Sequence, residues 1–113
     1  AAVFVVIFSI SVFYFFSIGS DKILSEGALV RVEFSEQNYL DAILELEEEA
    51  TPKIAQLDLD LMLLYREKLE IIDTQINHCR EAIKNNPGNA HIRRYMLAAL
   101  QDKKETLKEI IDI

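Results

Sequence analysis

Residues 62–100, MLLYREKLEIIDTQINHCREAIKNNPGNAHIRRYMLAAL, decide the fold. Met62, Tyr65, Leu69, Ile72, Ile76, Cys79 and Ile83 recur at alternating steps of three and four. That is a 3.5-residue apolar repeat, the pattern that seats one helix against another. Asn85-Asn86-Pro87-Gly88-Asn89 then interrupts it. Pro and Gly break a helix, and Asn accepts turn and cap conformations. Asn89 is suited to cap a following helix, whose apolar face runs through Ile92, Met96, Ala99, Leu100, Leu107, Ile110 and Ile111. So short a turn makes the two helices antiparallel neighbours, an αα-hairpin.

Toward the N-terminus, Thr51-Pro52 predicts a helix boundary, because Thr caps well and Pro is tolerated at the first helical position. Leu57, Leu59, Leu61, Leu63 and Leu64 fit the repeat poorly. A short helix ending near Asp58, followed by a new start, is the alternative there. Before it, Ser35 is a suitable N-cap and Glu36 favours the positive end of a helix dipole. Tyr39, Leu40, Ile43, Leu46 and Ala50 form one apolar stripe, while Glu45, Glu47, Glu48 and Glu49 crowd the other faces. ALVRVEF, residues 28–34, alternates weakly, and a lone short strand is marginal. It reads as linker.

Residues 1–18, AAVFVVIFSISVFYFFSI, carry no charge, no Pro and no Gly. An uncharged run of that length is a transmembrane candidate, spanning roughly 27 Å of the ~30 Å hydrocarbon core. A cleavable signal would need a basic leading region and a small-residue cleavage site, and neither stands out. A buried core helix would need partners that the polar remainder does not supply. The expected fold is all-α: one N-terminal transmembrane helix over residues 1–20, a linker over 21–34, and a small acidic three-helix domain over 35–113 containing the αα-hairpin. Phe4, Phe8, Phe13, Tyr14, Phe15 and Phe16 are the expected anchor side chains against membrane lipid. The chain opens inside the apolar run without an initiator Met, so it is expected to be part of a longer protein. Only Lys22 and Arg31 are basic in the first stretch past the span. Cytoplasmic flanks usually carry more cations, which predicts an inner-membrane, single-pass protein with its C-terminal domain on the periplasmic side.

The remaining charge is 12 basic against 19 acidic residues, net −7. That argues against nucleic acid and against anionic headgroups as partners. Cys79 is the sole cysteine, on the apolar stripe, and reads as a buried filler. His78 and Cys79 diverge by about 100° on a helix, and His91 lies beyond the turn, so no zinc set converges. The Glu45–Glu49 run lacks the glycine turn of a calcium loop and reads as a solvated face. No nucleophile elbow, phosphate loop or dinucleotide turn is present, so binding rather than catalysis is expected, with no cofactor. The PGN turn resembles the joint between tetratricopeptide units, but one hairpin is far from the three repeats an array needs. Expected partners are other protein subunits, contacted through Met62, Tyr65 and Tyr95 with the face of Glu45 and Glu48. A second copy, met through the stripe of Ile72 and Ile76, is the further possibility.

The segment from Tyr39 to Ile111 resembles the extracytoplasmic part of membrane-anchored anti-sigma-factor-like proteins. The matching residues are Tyr39, Ala42-Ile43 and Leu46; Leu69-Glu70-Ile71-Ile72-Asp73; Ala82-Ile83 before Asn86-Pro87-Gly88-Asn89; and Arg94-Tyr95-Met96-Leu97 with the Lys-rich end to Leu107. The family's cytosolic zinc-finger-like head is not in this sequence, so no sigma-contacting residue can be placed. The resemblance implies an outward-facing sensing or interaction module. The alternative expectation is an accessory structural subunit of a larger membrane complex.

Overall fold

The computed structural model describes residues 23–113, and the expected span over 1–20, with Phe4, Phe8, Phe13, Tyr14, Phe15 and Phe16, lies outside the described residues. Within the described residues the fold is all-α, with three helices: α1 (Glu26–Gln56), α2 (Leu59–Asn85) and α3 (Ala90–Ile111). None of them is long and apolar enough to cross a membrane.

Helix α1 begins nine residues before Ser35, so most of the expected 21–34 linker is helical. The Ser25 side chain accepts a hydrogen bond from the Ala28 amide at 3.2 Å, and Glu26 sits in the positive first turn. Leu29 and Val32 are half-buried and carry the apolar stripe backward from Tyr39. The stripe is hard to see in the sequence because its next position is Glu36, a carboxylate that is buried. Thr51-Pro52 does not end the helix either. Pro52 lies near the C-terminal end, so the missing amide disrupts only the last turns. The Thr51 hydroxyl donates back to the Glu47 carbonyl at 2.7 Å instead of capping. The break falls at Leu57-Asp58, where Leu57 is extended and its amide donates to the Ile54 carbonyl.

The turn between α2 and α3 forms as the sequence predicts. The Asn89 amide donates to the Asn86 carbonyl at 3.1 Å, and the Asn89 side chain accepts from the Ile92 amide at 3.1 Å. The N-terminal residues dock on this same turn. The Leu24 amide donates to the Gly88 carbonyl at 2.7 Å, and Ile23 bridges Asn89. A Cβ at Gly88 would meet the Ile23 methyl at 3.1 Å, so only glycine gives this close approach full room.

Helix α3 is the central element. It packs along both α1 and α2, which touch each other at few places. Ion pairs fix the directions. Arg93 at the start of α3 meets Glu33 and Glu36 in the N-terminal half of α1, and Lys53 near the end of α1 donates to the Ile111 carbonyl at 2.5 Å. Helices α1 and α3 are therefore parallel. Lys103 pairs with Asp73 and Lys68 with Glu109, which makes α2 and α3 antiparallel. The core takes Ile43 and Ala50 from α1, Ile72, Ile76 and Cys79 from α2, and Met96, Ala99, Leu100, Leu107 and Ile110 from α3. Ile72 and Ile76 are thus internal packing between helices, not an exposed stripe for a second copy.

Candidate functional site

Helix α3 stands between α1 and α2, which touch each other at few places. A groove of roughly 520 Å³ runs there. Leu40 and Ile43 from α1, Ile76 from α2 and Leu100 from α3 line it, but Ile43, Ile76 and Leu100 are buried beneath its surface. Leu44 stands on the rim, 64% exposed. Gln37, Asn77 and Arg80 supply polar groups at the end nearer the α2–α3 turn.

Lys103 ties the other end. Its ammonium reaches Asp73 on α2 at 2.6 Å and Glu47 on α1 at 3.1 Å, so one side chain of α3 links all three helices. Burial opposes the charge on Lys103, but the two carboxylates outweigh it and hold its pKa above the ordinary lysine value. The cation is therefore a fixed feature of the groove at neutral pH. Its neighbour Asp102 is raised, chiefly by burial, and the nearby Lys68 only partly offsets this.

A second polar cluster lies behind the groove, between α1 and the turn. Arg93 donates through Nη1 to Glu36 at 2.8 Å and through Nε to the Pro87 carbonyl at 2.8 Å, and Nη2 reaches Glu33 at 3.5 Å. Both Arg93 and Glu36 are buried. Among the described residues, Glu36 Oε1 and Gln75 Oε1 have no hydrogen-bond partner. Burial pushes the Cys79 thiol up to about 11, with the Glu36 charge adding to it. Burial likewise pushes Tyr95 up to about 12. These groups are neutral structural elements at physiological pH.

Of the residues expected to meet a partner, Glu45 and Glu48 are exposed on α1 and Met62 is half-buried. Tyr65 and Tyr95 are each 9% exposed and belong to the core. Tyr65 lies on the apolar stripe of α2 and Tyr95 on the apolar face of α3, so both rings pack inward. Among the described residues no three His, Cys, Asp or Glu side chains converge as a metal site. His78 is exposed, and Cys79 is fully buried.

The sequence reading did not pick out the groove. Ile43, Ile76 and Leu100 read as ordinary core, and Leu44 lies one position off the stripe. The readable signal was Lys103, a cation placed between Leu100 and Leu107 on an apolar face. A second signal was a row of exposed residues on α1, Val30, Phe34, Gln37, Asp41, Leu44 and Glu48, spaced by fours and threes. No family model, curated protein or solved structure matches this chain.

Proposed function

We propose that this chain is a single-pass membrane protein whose helical domain binds another protein along the groove between α1 and α2. The observation that carries the reading is the exposed apolar row of Val30, Phe34 and Leu44 along α1, beside a groove where α1 and α2 touch at few places. An apolar cleft rimmed by polar groups is a common seat for a protein partner. The membrane part of the reading rests on the uncharged residues 1–18. In this reading the span sits in the inner membrane and the domain on the periplasmic side, serving as the sensing module of an anti-sigma-like regulator. Ile23 and Leu24 fasten to Gly88 and Asn89, so the span would leave the domain at the end carrying the α2–α3 turn.

A second reading, an accessory subunit of a larger membrane complex, draws on a different observation. Leu59, Leu61, Leu63 and Leu64 are exposed at the start of α2, the end of the domain away from that turn. Such a patch is the kind of surface a neighbouring subunit covers.

Two experiments test the main reading. Full-length protein in native membranes should resist alkaline carbonate extraction, and release into the supernatant would remove the anchor. A photo-crosslinking side chain at Gln37 or Asn77 should give a discrete adduct in those membranes. One at Lys84, outside the groove, should give none. Equal yields at the three positions would defeat the groove as the binding site.

A further inference from the structure

We infer that the end of the domain carrying the α2–α3 turn rests on anionic lipid headgroups, held there by three arginines, Arg31, Arg80 and Arg94. This rests on the reading of residues 1–18 as a membrane span, and it adds what the domain does beside that span. Distance comes first. Residues 19–22 alone separate Ile18 from Ile23, so the chain between them reaches at most about 18 Å when fully extended. Ile23 and Leu24 are fastened to Asn89 and Gly88, so the turn is held within that reach of the span. Ile23 is 83% exposed there, and Val30, about one turn into α1, is 65% exposed. Apolar side chains placed at headgroup depth favour a membrane surface over water.

Charge comes second. A net charge of −7 opposes an anionic surface for the chain as a whole, but the charge is divided unevenly between the two ends. Residues 37–77 and 95–113 hold fourteen acidic and six basic side chains. Residues 23–36 and 78–94, at the end carrying the turn, hold four acidic and five basic ones. Three of those four acids are already paired, Glu33 and Glu36 with Arg93 and Glu81 with Lys84. Glu26 is the one left over. Arg31, Arg80 and Arg94 are exposed, and among the described residues no ion pair engages them.

Level comes third. Arg31 is five residues from the start of α1, Arg80 five from the end of α2 and Arg94 four from the start of α3. At 1.5 Å per residue, each lies about 6–8 Å from the end of its helix. Each helix thus brings one arginine to the same level, and a headgroup layer roughly 5–8 Å deep is within reach of all three. The guanidinium fork suits phosphate oxygens. Further along α1 the outward face changes sign, with Asp41, Glu45 and Glu48 exposed. An anionic surface repels that half of the helix, which keeps the far end of the domain in water.

The chain has no tryptophan, so single reporters can be placed in the full-length protein. Val30→Trp and Asn85→Trp report from the end at the turn, and Leu59→Trp from the far end; all three positions are exposed. Each variant is measured in nanodiscs of phosphatidylcholine, with and without phosphatidylglycerol, whose acyl chains are brominated near the headgroup. With the anionic lipid present, bromine should quench Val30→Trp and Asn85→Trp at least twofold and leave Leu59→Trp unchanged. Phosphatidylcholine alone should remove most of that quenching. So should Arg31→Gln, Arg80→Gln and Arg94→Gln together, at unchanged helical content, whereas Lys at the same three positions should preserve it. Equal quenching at both ends overturns the inference. Quenching that survives both the neutral lipid and the Gln changes overturns it too, because the arginines then play no part. If the chain resists alkaline carbonate but the reporters stay unquenched, the span reading stands and the inference fails; an acidic protein is then the partner left for the arginines. Release of the chain by carbonate removes the span, and the inference fails with it.

Discussion

Arg93 and Glu36 show how a buried charge pair can decide the position of a helix. Arg93 gathers Glu36, Glu33 and the Pro87 carbonyl, so one side chain joins α1, α3 and the turn. Removing one partner of such a pair leaves the other uncompensated in the interior, which costs about 3–5 kcal/mol. Arg93→Ala should therefore lower the denaturant midpoint sharply. Pairing Arg93→Met with Glu36→Leu should recover most of the loss, because neither charge is then stranded. A double variant no more stable than Arg93→Ala would show that the pair itself, rather than the stranded carboxylate, holds the site. Cys79 makes a second residue-level prediction. It is fully buried with its pKa at about 11, against 9.0 for a free thiol. A thiol reagent at pH 8 should modify it only as fast as the domain opens. The linkage sign follows from the raised value. Stability from the neutral thiol is fully present below pH 9.0 and is lost as pH rises through about 11. Lys103 and Tyr95 are raised as well and act in the same direction at alkaline pH. Thermal midpoints should hold steady from neutrality to about pH 9 and then fall. A midpoint that rises over the alkaline range would contradict these burials. Asp102 is raised too, so its charge opposes folding at neutral pH, and Asp102→Asn should raise the midpoint there.

At the scale of elements, much was legible and the failures are instructive. The α2–α3 hairpin, its Asn89 cap and the apolar faces of both helices could be read because turn chemistry and periodicity agree there. The start of α1 could not. Gly27 and the β-branched Val30 and Val32 lower helix propensity, and a buried Glu36 interrupts the apolar row that would have linked 26–34 to the rest. The Pro at 52 looked like a beginning because a first turn is where proline loses no helical hydrogen bond, whereas here α1 runs on through it for one more turn. The groove was invisible for a different reason. Periodicity tells which residues face inward, but not whether two inward faces meet each other or leave a space. The helical start gives a direct check. A Cβ at Gly27 would touch nothing within 4 Å, so Gly27→Ala should stabilise the domain by about 0.5–1 kcal/mol. In a linker the same change would leave the thermal midpoint where it was.

For the molecule as a whole, the described residues form a body of 46 × 29 × 18 Å, its long dimension close to the length of α1. Only α3 holds the other two helices in one unit, so damage there should act globally. Leu100→Ala removes side-chain volume at a fully buried point beneath the groove and should cost about 2–5 kcal/mol. A single cooperative transition, lowered as one, is expected in circular dichroism. Two separate transitions would mean that α1 melts independently. The attachment of Leu24 to Gly88 has a mechanical side as well. A tug on the chain at Ile23 does not peel α1 open from its first turn. It loads the knuckle between α2 and α3 first, across a 2.7 Å hydrogen bond, and from there it reaches Arg93 and the base of the central helix. The load thus enters at the α2–α3 turn, and the long helix beside it is spared.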